Sequence, residues 1–196
     1  TDSGIGVNHG WTALEGPFRV TRSENNIIKE LDWRPAFDVY QETVTRLSGR
    51  ELTLDTFFDI AKAFPFGINR LDNEQIVRDP VQALPDSGLV CVGEVPEGIF
   101  VSILNGDTGS LIDAAGQAAR IGIDSFPGPG DVEALFMIDC ISRVLFLKEE
   151  FSREISAVKQ TNLPLFGACT LGEIADCGKK FLEFYNKTCV VAALGK

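Results

Sequence analysis

The chain has 196 residues, with 18 Lys and Arg against 28 Asp and Glu, a formal charge of −10. That balance excludes a phosphate-gripping nucleic-acid binder, which needs clustered, uncompensated cations, and 44% hydrophobic with 23% charged residues excludes disorder. The longest apolar runs, residues 134–138, 144–147 and 189–194, fall far short of the roughly 18 residues of a membrane span, so a soluble protein with no membrane partner is expected.

Residues 18–21 and 27–30 are rich in β-formers, and the polar Ser23-Glu24-Asn25-Asn26 between them predicts a hairpin. Pro35 suits a first helical turn. Phe37, Tyr40, Val44 and Leu47 then lay one apolar stripe along a helix that Gly49 stops. A second helix is expected from a cap near Thr53, with Leu54, Phe57, Phe58, Ala61 and Phe64 on one face and Pro65 ending it. The aromatics of both helices read as core.

From Phe66 onward short apolar runs alternate with Gly, Pro, Asn and Asp. Residues 75–78, 89–95 and 99–104 read as strands, and Glu94-Val95-Pro96-Glu97-Gly98 reads as the turn of a second hairpin joining the last two. An Asp107-Thr108 cap opens a helix carrying Leu111, Ile112, Ala115 and Ala119; its first amides offer a place for an anion, with a plain cap favoured. Residues 126–130 are a loop. A buried strand over 134–139, a helix near 148–159 with Phe151, Ile155 and Val158 on one face, and a strand over 165–170 follow, and 180–185 and 188–194 complete the chain. Strands joined both by hairpins and across helices predict an α+β fold with a mixed, largely antiparallel sheet flanked by helices.

Several chemistries lack their residues. His9 is the only histidine, which removes two-histidine metal sites and makes a hydrolytic triad improbable, so no metal is expected. Cys91, Cys140, Cys169, Cys177 and Cys189 form no C-x-x-C pair and are odd in number, which fits a reduced, cytoplasmic setting. Residues 1–10 have neither the basic stretch nor the apolar core of an export signal. The sequon Asn186-Lys187-Thr188 is discounted on that basis. Gly4, Gly6 and Gly10 miss the dinucleotide fingerprint by one residue, and no phosphate-binding glycine loop is present.

Two clusters remain. Asp139-Cys140-Ile141-Ser142-Arg143 follows an apolar strand, where side chains at a strand end can face a crevice. Arg143 there either binds a ligand carboxylate through its planar fork or pairs with a nearby acid. Cys140 is either inert or lowered in pKa by that positive field. Downstream, Thr170-Leu171-Gly172-Glu173 places an acid behind a glycine that permits close backbone approach, and Asn186 supplies an amide that donates and accepts.

Leu31-Asp32-Trp33-Arg34-Pro35-Ala36-Phe37-Asp38-Val39-Tyr40, Val77-Arg78-Asp79-Pro80, Gly93-Glu94-Val95-Pro96-Glu97-Gly98, Cys140-Ile141-Ser142-Arg143, Gly172-Glu173-Ile174 and Tyr185-Asn186-Lys187-Thr188 occur in that order. Together they resemble the C-terminal half of FIST-domain proteins, over about residues 11–194. The opening Gly6-Val7-Asn8-His9-Gly10-Trp11 resembles the tail of the N-terminal half. The resemblance implies residues 1–14 as that tail and 15–196 as a FIST C-type domain, with lobes 15–85 and 86–196. It further implies a cytoplasmic sensory module of a signal-transduction protein, not an enzyme, that binds an amino-acid-like or carboxylate small-molecule ligand. Its partners would be the N-terminal half or a signalling protein.

On that reading Arg143 takes a carboxylate and Glu173 an amine. Thr170 and Asn186 add hydrogen bonds, Cys140 lies alongside, and Arg34 is a second cation. No cofactor is assigned. The alternatives are a haem-based gas sensor with His9 as axial ligand, a thiol enzyme using Cys140 without a base histidine, and a protein-interaction surface. The family's final block often reads Phe-His-Asn; Tyr185 stands where that histidine would be.

Overall fold

The computed structural model describes residues 2–70, 75–127, 131–159, 163–176, 178 and 182–196. The predicted Gly128-Pro129-Gly130 loop, Cys177 and residues 180–181 lie outside them. The chain forms two compact units, Thr1–Trp11 with Gly106–Lys196, and Thr12–Asn105. The division falls at 105/106 and not at the 85/86 boundary of the expected lobes, because residues 89–91 and 100–105 pair with the hairpin of residues 12–31.

The first strand, β1 (Asp2–Asn8), pairs with the last strand of the chain. The continuous unit then begins with β2 (Thr12–Glu24) and β3 (Ile27–Leu31), the predicted hairpin, whose turn places Asn25 at φ 54°. A two-residue turn, Asp32-Trp33, leads to the short β4 (Arg34–Pro35). Helix α1 (Ala36–Ser48) starts behind Pro35 and stops at Gly49, which is left-handed at φ 66° and donates its N–H to Thr45 O. Phe37, Tyr40 and Val44 are buried, as the stripe predicts.

Helix α2 is shorter than expected, only Phe57–Ala61. The hydroxyls of Thr53 and Thr56 each accept the other's backbone N–H, and that closed turn occupies the residues expected to be helical. Its buried set is Phe57, Ile60, Ala61 and Phe64, whereas Leu54 and Phe58 are exposed. The Phe57 ring packs on Phe37 and Tyr40, and Tyr40 donates to Phe64 O at 2.7 Å.

Strands β5 (Phe66–Asn69), β6 (Gln75–Arg78), β7 (Pro80–Ala83), β8 (Leu89–Cys91) and β9 (Phe100–Asn105) complete this unit. The sheet runs β6-β5-β9-β2-β3-β8-β7. The expected hairpin between the 89–95 and 99–104 runs does not form, because the β2–β3 hairpin inserts between β8 and β9.

The discontinuous unit resumes with α3 (Thr108–Asp124). Asp107 accepts the Ser110 N–H at 2.7 Å and the Ser110 hydroxyl accepts from the Asp107 N–H, a reciprocal cap. The helix start is thus a plain cap. Strand β10 (Val132–Cys140) follows, then α4 (Ile141–Leu147), which the sequence reading missed, and α5 (Phe151–Lys159). Strands β11 (Leu165–Thr170), β12 (Glu173–Ala175), β13 (Glu183–Tyr185) and β14 (Cys189–Gly195) close the chain. The sheet order is β1-β14-β10-β11; only the β10–β11 pair is parallel, so the α+β, mostly antiparallel class holds.

One sheet face buries Leu135, Met137, Val191 and Ala193 with Ala115, Ala118, Ala119 and Val158 of α3 and α5. Glycine at Gly4 and Gly6 is what lets α3 lie this close: a Cβ at Gly6 would meet Ala118 O at 1.9 Å, and one at Gly4 would meet Gly122 O at 2.1 Å. These glycines serve helix–sheet contact. The other sheet face carries cross-strand rows Val7-Val190-Ile138-Ala168 and Ile5-Ala192-Phe136-Phe166, with no charged residue in either. Among the described residues no helix is long and apolar enough to cross a membrane.

Candidate functional site

Strand pairing gathers distant residues at the carboxyl end of the parallel β10–β11 pair, where sheets of this kind leave a crevice. Asp139 lies opposite Cys169 and Cys140 opposite Thr170; Cys189 lies opposite Asp139 on the other side, and Asn8 opposite Cys189. Helix α4 begins directly after Cys140 and carries Arg143 into the interior, with no measurable exposure.

All five N–H groups of Arg143 are engaged. Nε donates to Glu154 Oε1 at 2.9 Å, and Nη2 donates to the same oxygen and to Leu111 O at 2.8 Å. Nη1 donates to His9 O at 2.7 Å and Lys187 O at 3.1 Å. Asp139 Oδ1 sits 3.2 Å from Nε. A guanidinium with no free donor cannot fork onto a ligand carboxylate, so that expectation for Arg143 is corrected: the residue pairs with buried acids and ties α3, α4, α5 and the turns after β1 and β13 together.

The acids beside it are perturbed. Burial and the neighbouring Glu154 charge push Asp139 up to about 8, against the opposing pull of Arg143. Burial also raises Glu154, and Arg143 offsets it. Neither Asp139 oxygen accepts a hydrogen bond, nor does Glu154 Oε2; a proton held by Asp139 and shared with Glu154 explains the pairing of two buried carboxyls. Glu173, also buried, is pushed up to about 7 by desolvation, with hydrogen bonds from Thr170 and Cys140 pulling the other way.

The other expected site residues divide. Thr170 donates its hydroxyl to Glu173 Oε1 at 3.0 Å. Asn186 is buried, donates Nδ2 to Tyr185 O at 3.0 Å, and leaves Oδ1 without a donor. Gly172, at φ 134°, makes room for the Phe184 ring, which a Cβ would meet at 2.4 Å. Cys140 is buried with Sγ 3.1 Å from Ser142 Oγ, and burial together with the Glu173 charge raises its pKa. Of the two readings for Cys140, inert or activated by Arg143, the raised pKa matches the inert thiol. Arg34 belongs to the other unit, where it is exposed and pairs with Glu42 at 2.8 Å; it is corrected to a surface ion pair. His9 Nδ1 accepts the Trp11 backbone N–H at 2.9 Å, which leaves the ring proton on Nε2 and holds the turn that delivers His9 O to Arg143. As a haem axial ligand it does not fit.

The sequence reading missed Glu154 and did not assign Asp139. Glu154 lies three residues after Phe151 and four before Val158, so an acid on the buried stripe of α5 was itself a signal of a buried cation. Between α5 and β11 opens a groove of about 330 Å³. Met137 and Asp139 reach it from the sheet, Phe151, Ile155 and Lys159 from α5, and Cys169 from β11. Among the described residues no group of three or more His, Cys, Asp or Glu side chains is placed to hold a metal ion.

Comparison with curated proteins and with solved structures finds no significant match. The FIST C domain model matches residues 36–176 and the FIST N domain model residues 1–34. FIST domains are sensory domains of signal transduction. With the first match spanning more than half of its length, the chain belongs to the FIST domain family.

Proposed function

We propose that this chain is a cytoplasmic small-molecule sensor that acts by binding rather than turnover, with the α5–β11 groove as its ligand site. The observation that carries the reading is the position of Asp139. It lines the groove and lies 3.2 Å from Arg143, whose donors hold Leu111 of α3, Glu154 of α5, His9 and Lys187. A ligand that changes the charge or hydrogen bonding of Asp139 alters the pairing that fixes those segments. Its differential affinity for the two arrangements is the signal passed to the N-terminal FIST half or a signalling partner.

A thermal-shift screen of small amines, carboxylates, amino acids and neutral analogues tests this, using wild type and Cys169→Phe, which fills the groove from β11. A compound that raises the Tm of wild type alone is the expected result. No stabilisation of wild type, or equal stabilisation of both proteins, overturns it.

A protein-interaction role has its own support in the uncharged rows of the second sheet face, exposed at Phe166 and Ala168, since antiparallel sheets facing water usually alternate with polar residues. Sedimentation of wild type and Ala192→Glu over a concentration series checks it: wild type self-associates and the variant does not. A wild type that stays monomeric and binds no apolar dye refutes that second role.

A further inference from the structure

We propose that the α5–β11 groove takes a small apolar amine, its ammonium on the Asp139 carboxylate and its hydrocarbon along Phe151, Ile155 and Met137. This deepens the small-molecule reading and rests on it. Four observations carry the assignment. First, the groove walls are largely apolar: among the described residues the ionisable carboxyl or amine side chains lining it are Asp139 and Lys159, the latter exposed on the last turn of α5. Second, Asp139 is 2% exposed yet reaches the groove, and neither of its oxygens accepts a hydrogen bond. Its one cationic neighbour, Arg143 Nε at 3.2 Å, spends its hydrogen bond on Glu154, so a guest rich in N–H groups can supply what this carboxyl lacks. Third, the guanidinium that would have taken an anion has all five donors committed. Fourth, two buried acids, Asp139 and Glu154, pair with that one guanidinium, and the buried Glu173 adds negative charge near Asp139. Their surroundings thus accept a further positive charge and resist a negative one.

The occupant differs from an amino acid in needing no carboxylate contact, and the volume of about 330 Å³ lies at the small end of ligand sites. Binding exchanges one cation for another: the ammonium arrives, the Asp139 proton leaves to buffer, and the net charge of the buried cluster is unchanged. The groups that face Asp139 during this exchange are Glu154 from α5, Arg143 from α4, Glu173 from β12, Cys169 from β11 and Cys189 from β14, with Lys159 at the rim. Arg143 is the one buried cation among these groups; the buried Lys187 ammonium is held over the Trp11 ring, 5.2 Å from its centroid.

Calorimetric titration of the whole chain at pH 6.5 with phenethylamine, 2-phenylethanol and phenylacetate, in phosphate and in HEPES, tests the proposal. Phenethylamine is expected to bind at least tenfold tighter than the other two and to release up to one proton, read from the difference in heat between buffers. It is also expected to slow labelling of Cys169. Asp139→Asn should lose the tenfold preference. The wild-type comparison stands without that variant, should it fail to fold. Equal binding of phenethylamine and 2-phenylethanol, both blocked by Cys169→Phe, overturns the amine assignment and leaves the groove as a ligand site. Tighter binding of phenylacetate, or amine binding without proton release, also overturns it. Absence of binding by all three probes overturns both the amine and the groove.

Discussion

Raising the pH from 5.5 to 7.5 should destabilise this protein, and Asp139 is the principal reason. Its carboxyl titrates at about 8 in the folded chain against an ordinary 3.8, because burial and the Glu154 charge disfavour ionisation. Glu173 titrates at about 7 against 4.5 for the same leading reason, burial. Between the unfolded and folded values the folded state holds more protons than the unfolded state, so stability falls with rising pH. The slope reaches ~1.4 kcal/mol per pH unit for each proton retained. Across the two units one fully retained proton costs ~3 kcal/mol, or about 6–12 °C in Tm for a chain of this size. Glu42 and Asp86 act in the opposite sense, since Arg34 and Lys29 hold them below their ordinary values; their contribution is lost only as pH falls below about 4.5, outside the window. Urea denaturation at pH 5.5, 6.5 and 7.5 measures the slope. In Asp139→Asn the amide stands in for the protonated acid, so the slope should drop by about half and the variant should outlast wild type at pH 8. A wild-type midpoint that is flat or rises with pH refutes the reasoning, as does a variant with an undiminished slope.

Replacing Arg143 by Met leaves Glu154 buried without its cation and should cost ~3–5 kcal/mol in urea; Arg143→Lys recovers little, because three donors cannot serve the partners of five. Gly6→Ala forces a Cβ to 1.9 Å from Ala118 O and should cost ~3 kcal/mol or more. Gly49→Ala, with nothing within 4 Å but φ 66°, should cost only ~1 kcal/mol. Comparable losses for the two variants would refute the close-approach account. Among the four described cysteines, Cys169 is exposed and Cys91, Cys140 and Cys189 are buried, so iodoacetamide should label Cys169 first. Cys140 reacting as fast would contradict the geometry.

Much of the local structure was legible because its causes are local. Pro35 and Gly49 bound α1, the reciprocal cap of Asp107 and Ser110 starts α3, and Asn25-Asn26 closes the β2–β3 hairpin. Failures came where a local signal competed with a distant partner. Turn chemistry at residues 94–98 suggested a hairpin, yet β8 and β9 each pair with one strand of the β2–β3 hairpin instead. Gly4 and Gly6 miss the nucleotide fingerprint, and what they do instead, clear a path for α3, depends on a helix more than a hundred residues away.

The candidate site divides in the same way. Residue chemistry alone singled out Arg143, Glu173 and Asn186 as ligand-contacting groups at strand ends, whereas all three are buried. What tertiary structure decided is whom they face. Arg143 draws partners from positions 9, 111, 154 and 187. A buried cation must find compensating acceptors, but composition and periodicity do not say which segments the strand order brings within 3 Å. Electrostatic necessity can be read from one residue at a time; its fulfilment depends on pairings across more than a hundred residues, such as β1 with β14, which only the assembled sheet fixes.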